Sequence, residues 1–585
     1  MRKLIFTAVT LSLVIICFNP PMPAIRAERQ QAPYIPDEII IGFRPDVALP
    51  MGNVSKVGSA DLTNAALVSL DQIADVIQIE RLAPVLPSHT NPPRHVTRHK
   101  QQTQPATTAD IAAIFAEYGI DRMAVVRLAK PMDIPQLAAE LMQQYPDLIE
   151  FAEPNYLHAP ALRPNDPLFS SQWYLTTIQA PAAWDVTTGD AGVVVAVIDT
   201  GISPHVDLDT KRFRNLQEVP GNGIDDDSNG FVDDVSGWDF FSGDNNPLEE
   251  SSVHGTPVSG VIAAATNNQR HVAGVSWASP ILPLRACCTA DGYFSTSAEI
   301  RAINYATLMS TQGVRVINMS FGGAGRSSGV LRAIQAAGAA KILCVASAGN
   351  EASDNDVEQH YPSGFETETD NVLGVAATNA SDRLSSYSNY GLSVGVAAPG
   401  DAIRAIMPGN TSTSQYGTSF SAPIVSGIAA LIYSRFPAST PLQVRGRIIG
   451  NVDPVAALKG KVLSEGRVNA ARVFEVDEVP PAPITDMRVI TGQSGPMLTW
   501  TATGDDGEQG RASFYDIRYL SQPITPENFR FARKWFTTHR PAPAGTTETL
   551  PLSDSFPTGR YYVLIRVLDN VGNVAEANQV EVIKE

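Results

Sequence analysis

The run Val193-Val-Val-Ala-Val-Ile198 limits the fold more than any other feature of this chain. Consecutive apolar, mostly β-branched residues leave no polar face, so a strand formed here must be covered on both sides. Val314-Arg-Val-Ile-Asn318 and Ile342-Leu-Cys-Val-Ala346 have the same character. Residues 297–308, 329–339 and 421–436 between and after them carry helical spacing. Buried strands alternating with helices predict an α/β domain, a parallel sheet with helices on both faces.

The remainder reads differently. Glu38–Arg44 alternates like a half-buried strand, Met123–Leu128 is β-rich, and residues 148–156 close the segment as a further strand. Thr108–Tyr118 and Ile134–Tyr145 have helical spacing, so this part is α+β. The Pro-, Gln-, Thr- and His-rich residues 84–108 read as a flexible insertion. After Val479-Pro-Pro-Ala-Pro come short strands at residues 487–490, 497–501, 515–520 and 561–568, the pattern of an all-β sandwich. Trp500 and Tyr562 are its expected core aromatics.

At 585 residues the chain exceeds one core. The expected division is an export signal over 1–27, an α+β unit over 28–160, the α/β domain over 161–475 and the sandwich over 476–585. Arg2 and Lys3 before an apolar run to Cys17, ending near Ala27, carry the signal reading. Secretion, to the extracellular space or cell envelope, is therefore expected. Cys17 offers a lipid anchor as the alternative, but Ile16 is bulkier than such a signal wants. No later stretch has the length of a transmembrane helix. Lys and Arg total 43 against 60 Asp and Glu, a net charge of -17 that argues against nucleic acid. Beyond Cys17 only Cys287, Cys288 and Cys344 remain, with no framework spacing, so buried thiols are expected.

Three segments carry chemistry. Val197-Ile-Asp-Thr-Gly201 ends the first buried strand in a carboxylate and a turn. His254-Gly-Thr-Pro-Val-Ser-Gly260 places a histidine at the start of an apolar helix. Gly417-Thr-Ser-Phe-Ser-Ala-Pro423 places a serine at another helix start, with Pro423 read as part of the first turn. Singly these are strand-end and capping residues. Jointly, Asp, His and Ser at element edges supply an orienting acid, a base and a nucleophile for acyl transfer.

These motifs resemble the three signatures of the subtilisin-like (peptidase S8) family, which has the same chain order. The resemblance implies a serine endopeptidase with Ser419 as nucleophile, His254 as general base and acid, and Asp199 as the orienting carboxylate. Ser347-Ala-Gly-Asn350 resembles the family's oxyanion segment, which makes Asn350 a side-chain donor. Asn318-Met-Ser-Phe-Gly-Gly323 resembles its substrate-binding edge strand. Ser320, Phe321 and Gly322, with Ser347, Ala348 and Gly349, are then the expected substrate-binding positions. Pro257, where the family usually has a second His, and Phe420 and Ser421 depart from the commonest pattern without replacing a reacting group. The α+β unit resembles the family's propeptide, which implies a self-processing zymogen inhibited by its own prosegment. The last module resembles a fibronectin type III domain, either a spacer or a binding module. Protein or peptide substrates and a monomeric state are the expected partners and assembly.

Between Asp199 and His254 lies an acidic loop. Counting from Asp225, oxygen donors fall at Asp225, Asp227, Asn229, the carbonyl of Phe231 and Asp233, with Gly230 at the turn. This is the spacing of an EF-hand-type loop, and a structural Ca2+ is expected there. Ser236 stands where that loop has its bidentate Glu. Two rival classes carry less support. An adhesion protein with a dead protease fold is opposed by the intact Asp199, His254, Ser419 and Asn350. A metal-dependent hydrolase would need a His-Glu-x-x-His arrangement that the sequence lacks.

Overall fold

The computed structural model describes residues 34–45, 54–55, 79–84, 116–117, 122–128, 130–156 and 162–585, apart from 251, 289–291, 493–494 and 553–555. The expected signal segment, Cys17, nearly all of the insertion and most of the helix expected over Thr108–Tyr118 lie outside the described residues. The chain divides into two compact units, up to Pro160 and from Ala161 onward.

In the first unit, strand Tyr34–Phe43 pairs antiparallel with Met123–Leu128 on one side and Ile149–Tyr156 on the other. Alternation brings Ile39, Ile41 and Phe43 to one face, where they pack with Ile134, Leu137 and Leu141 of helix Ile134–Gln144. Asp133 caps that helix by accepting from the amide of Gln136 at 3.2 Å.

The second unit is organised around a mostly parallel sheet. Its central elements in chain order are β1 (Val194–Asp199), α1 (Gly255–Ala263), β2 (Ile281–Arg285), α2 (Thr296–Leu308), β3 (Val314–Met319), α3 (Ser328–Ala339), β4 (Leu343–Ser347), β5 (Val372–Thr378), β6 (Val396–Pro399), α4 (Thr418–Arg435) and α5 (Pro441–Gly450). The strands lie in the order β2-β1-β3-β4-β5-β6, all parallel. Val195 and Val197 join α1 and α4 in one core, while Val194, Ala196 and Ile198 join α2 and α3 in the other. One strand therefore feeds two cores, which is why its sequence shows no polar alternation. Helix α4 is buried from Thr418 to Tyr433 except at Ser419, as expected of a helix apolar all round.

Helix α4 starts at Thr418, three residues before the helical spacing suggests, so Pro423 lies inside the helix rather than in its first turn. The second unit also contains the sandwich. Strands Arg488–Gly492, Gly495–Thr501 and Thr547–Pro551 form one sheet, and Phe514–Leu520 with Gly559–Leu568 centre the other. Trp500 is fully buried between them. Tyr562 is not in that core; strand alternation gives the inward positions to Val563, Ile565 and Val567.

The sandwich is joined to the α/β core by buried charge. Asp370 and Asp516 meet Arg518, Arg566 and Lys534, with Arg566 Nη2 donating to Asp370 at 2.9 Å and Lys534 Nζ to the Thr369 carbonyl at 2.9 Å. Phe529 lies under both guanidinium groups, 4.5 and 4.7 Å from its ring centre. Burial alone would raise the Asp370 carboxyl, but Arg518, Arg566 and Lys534 hold it well below the usual carboxylate range. Gly446 matters here because a Cβ would come within 2.6 Å of the Gly572 Cα. Phe514 and Leu568 of the sandwich also complete the apolar core formed with α4.

Candidate active site

The strand order changes direction between β1 and β3, and the carboxyl ends of strands at such a point open a crevice. Asp199 is the last residue of β1, Ser320 follows β3 and Ser347 ends β4. Helices α1 and α4 start at the same edge.

Asp199 is 1% exposed, and its Oδ1 accepts from the Thr200 amide at 2.7 Å. His254 is the residue before α1, and its Nδ1 lies 2.9 and 3.0 Å from the two Asp199 carboxylate oxygens. That contact fixes the ring with Nδ1–H toward the acid and Nε2 away from it. Burial pulls the imidazole down, but the charge and hydrogen bond of Asp199, with the charge of Glu249, outweigh it and leave the His254 pKa raised.

Glu249 is the residue that sequence reasoning missed. Its carboxylate accepts from the amides of His254 at 3.0 Å and Thr256 at 2.9 Å, and from the hydroxyls of Thr200, Ser203 and Thr256. Two of those amides belong to the start of α1, where a negative charge also opposes the positive end of the helix dipole. The available signal was an acid five residues before a helix-initiating histidine.

Ser419 is the second residue of α4, and its side chain is partly exposed. Its Oγ donates to the Ser320 carbonyl at 3.1 Å. No hydrogen bond joins it to His254 in this structure, although the ring packs against the adjacent Phe420 at 5.7 Å between centroids. Catalytic hydrogen bonds commonly form only with substrate present. Pro423 has no N–H for the Ser419 carbonyl four residues earlier, and the Ser320 hydroxyl donates to that carbonyl instead, at 2.9 Å. Ser320 is held in turn by Asn318 Nδ2 at 2.9 Å, and Asn318 by Ser426 of α4.

Asn350 Oδ1 accepts from the Thr418 amide at 2.9 Å and from the Thr418 hydroxyl at 3.0 Å. An amide proton must meet an acceptor, so this contact fixes which way the Asn350 side chain faces. Its Nδ2 is left without a partner among the described residues, next to the start of α4. The preceding Gly349 has a φ of +109, and a Cβ there would clash with Asn389 Nδ2 at 2.3 Å. Along the edge after β3, Phe321 is half-buried and Gly322 exposed, so backbone is accessible there. Ser347 and Ala348 are buried.

The acidic loop does not gather the residues that its spacing picks out. Glu218, Asp227 and Asp234 each bring one carboxylate oxygen within 4.8 Å of the others. Asp225 instead accepts from the amides of Asn229 and Gly230, and Asp233 from those of Gly221, Asn222 and Gly223. The Asn229 oxygen is taken by the Phe231 amide. Asp225, Asn229 and Asp233 thus shape the turns, and Asp227 is the one expected side-chain ligand inside the carboxylate cluster. Burial raises the Asp234 carboxyl despite hydrogen bonds from Tyr305, Asn229 and Asn215. The three oxygen donors suit a hard cation of the calcium kind.

Cys287 and Cys288 are joined to each other in a vicinal disulfide, contrary to the expectation of free thiols, because pairing of adjacent residues leaves no spacing to read. Cys344 is a buried free thiol, pushed up to about 12 by burial.

Comparison with known proteins agrees with this geometry. Residues 190–471 match the Subtilase family (Peptidase S8). Thermitase from Thermoactinomyces vulgaris is 34% identical over 314 residues, spanning 53% of this chain and 99% of the relative. Subtilisin BL from Lederbergia lenta is 30% identical over 301 residues, 52% of this chain and 97% of that protein. An extracellular protease from Xanthomonas campestris pv. campestris is 35% identical over 348 residues, 55% of this chain and 58% of that one. The chain belongs to the subtilase family, and it is a serine endopeptidase of the subtilisin-like class.

Proposed function

We propose that the chain is a secreted endopeptidase that hydrolyses peptide bonds through an acyl-enzyme formed on Ser419. The observation that carries this reading is the two-oxygen contact of Asp199 with His254 Nδ1, at 2.9 and 3.0 Å, beside the start of α4. Ser419 Oγ attacks the carbonyl carbon of the scissile bond while its proton passes to His254 Nε2. Asp199 holds the Nδ1–H and stabilises the imidazolium. The oxyanion takes a hydrogen bond from Asn350 Nδ2 and one from the Ser419 amide, at the positive end of α4. His254 then protonates the leaving amine. A water, deprotonated by the same nitrogen, releases the acyl group. The peptide lies along Ser320, Phe321 and Gly322 as an added strand, its next neighbours being Ser347, Ala348 and Gly349.

Labelling of the purified protein by an organophosphorus-type serine reagent tests this directly. One equivalent should attach to Ser419; a protein that cleaves peptide yet is never labelled would refute the assignment. Self-processing is part of the reading, with cleavage between about Tyr156 and Trp173. Ser419→Ala should accumulate the uncut precursor, and normal processing of that variant would rule out self-cleavage. Export is supported by the extracellular relative, and no helix among the described residues is long and apolar enough to cross a membrane. A calcium-class cation is assigned to Glu218, Asp227 and Asp234, where it would relieve carboxylate repulsion and brace the loop. Isothermal titration that finds no calcium binding would exclude it.

A further inference from the structure

A second cleft lies beside the edge strand. It has a volume of about 470 Å³ and is lined by Phe321, Gly322 and Gly323 on one side, Tyr293 and Phe294 on another, and Glu299 of α2. The Phe294 and Phe321 rings stack at 4.2 Å between centroids, and Tyr361 packs on Phe365 at 4.7 Å. Five aromatic side chains, Tyr293, Phe294, Phe321, Tyr361 and Phe365, thus share the lining. Glu299 is the carboxylate among the described lining residues; it is half-buried, and its side chain has no hydrogen bond or ion pair with any described residue. Burial alone pushes this carboxyl up to about 7. A carboxylate partly shielded from water without a partner is disfavoured, and an arriving cation would relieve that cost. Aromatic faces on the same cleft favour a cation as well.

The position of the cleft ties it to the peptide. Ser419 Oγ touches the Ser320 carbonyl, and the cleft opens one to three residues further along the same edge. A strand rises about 3.3 Å per residue, so a substrate side chain roughly two to four residues from the scissile bond reaches it. Resting on the endopeptidase reading above, we propose that Glu299 makes this enzyme select a lysine or arginine side chain at that substrate position. The apolar part of such a side chain lies against Phe294 and Phe321 while its charge meets the Glu299 carboxylate.

Positional peptide libraries, digested by the processed enzyme, provide the test. At one position on the side of the edge strand, kcat/KM for arginine or lysine should exceed that for leucine by about tenfold, the equivalent of one desolvated charge pair. Glu299→Gln should bring that ratio to within about twofold of one. Glu299→Lys should turn the preference toward glutamate. If the wild-type enzyme cleaves both peptide sets with no basic preference, the assignment of Glu299 is overturned and the protease reading stands. Full retention of the ratio in Glu299→Gln would overturn that assignment as well. If the wild-type enzyme cleaves no peptide, both readings fall together.

Discussion

The acids at two sites in this molecule sit in opposite kinds of company. Asp199 faces His254, a base whose charge can come and go, whereas Asp370 and Asp516 face Arg518, Arg566 and Lys534. At the cleft the acid is matched to a partner that titrates in the proposed mechanism. At the seam with the sandwich the acids face two guanidinium forks that hardly deprotonate, and the Lys534 ammonium, which burial pulls down to about 8. Burial is therefore used once to tune a proton carrier and once to lock two layers together.

Breaking the two sites should separate rate from stability. Ser419→Ala is expected to lower kcat by about 10⁶, and Asp199→Asn by about 10⁴ through loss of the correct tautomer. Thermal melts of both should stay near wild type. A stable Asp199→Asn enzyme with near-normal kcat would show that the carboxylate does not orient the base. Asn350→Ala should cost about 10²–10³ in kcat with little change in KM, as removal of an oxyanion donor does.

At the seam the effect should appear in stability. Arg518→Ala leaves Asp516 and Asp370 short of a cation and should destabilise by roughly 3–5 kcal/mol, read from urea unfolding. Retention of wild-type stability would mean that Arg566 and Lys534 alone suffice. Because the Asp370 pKa is depressed in the folded chain, its contribution is fully present above the ordinary carboxylate pKa. It should be lost only as the pH falls through the lower, folded value. Unfolding measured at pH 7, 5 and 3 should show a loss attributable to this group only in the most acidic sample.

The smallest expected effect is at Glu249. The raised His254 pKa places the acid limb of kcat/KM above the ordinary imidazole value, since the base must be neutral to accept a proton. Glu249→Gln keeps hydrogen-bond acceptors but removes a charge, and should move that limb to lower pH by a few tenths of a unit. An unmoved limb would mean that Asp199 alone sets the imidazole.

The strands and helices that carry the cleft were legible because their periodicity reflects two-sided burial. Asp199, His254, Ser419 and Asn350 could be picked out because each lies near an element end and the set resembles a family pattern; the structure puts Asp199 beside His254 and Asn350 beside the start of α4. Glu249 was hidden in Leu248-Glu-Glu-Ser-Ser252, which has no period; only folding shows that it returns to the start of α1. Folding groups the acidic loop differently from its spacing for a related reason. Alternate spacing considers only residues within the loop, whereas folding brings Glu218, from before it, together with Asp227 and Asp234. Glu299 lies within residues 297–308, whose helical spacing carries no sign of the aromatic side chains that share its cleft.

Pro423 has a consequence that reaches beyond its own helix. By withholding one amide it leaves the Ser419 carbonyl to Ser320, so the proposed nucleophile is tethered to the segment along which the substrate is proposed to lie. Hydroxyl and template then travel as one body. If thermal breathing shifts the sheet edge, the attacking atom shifts with it, and the alignment of peptide and nucleophile is kept by a shared anchor rather than by stiffness of the whole cleft.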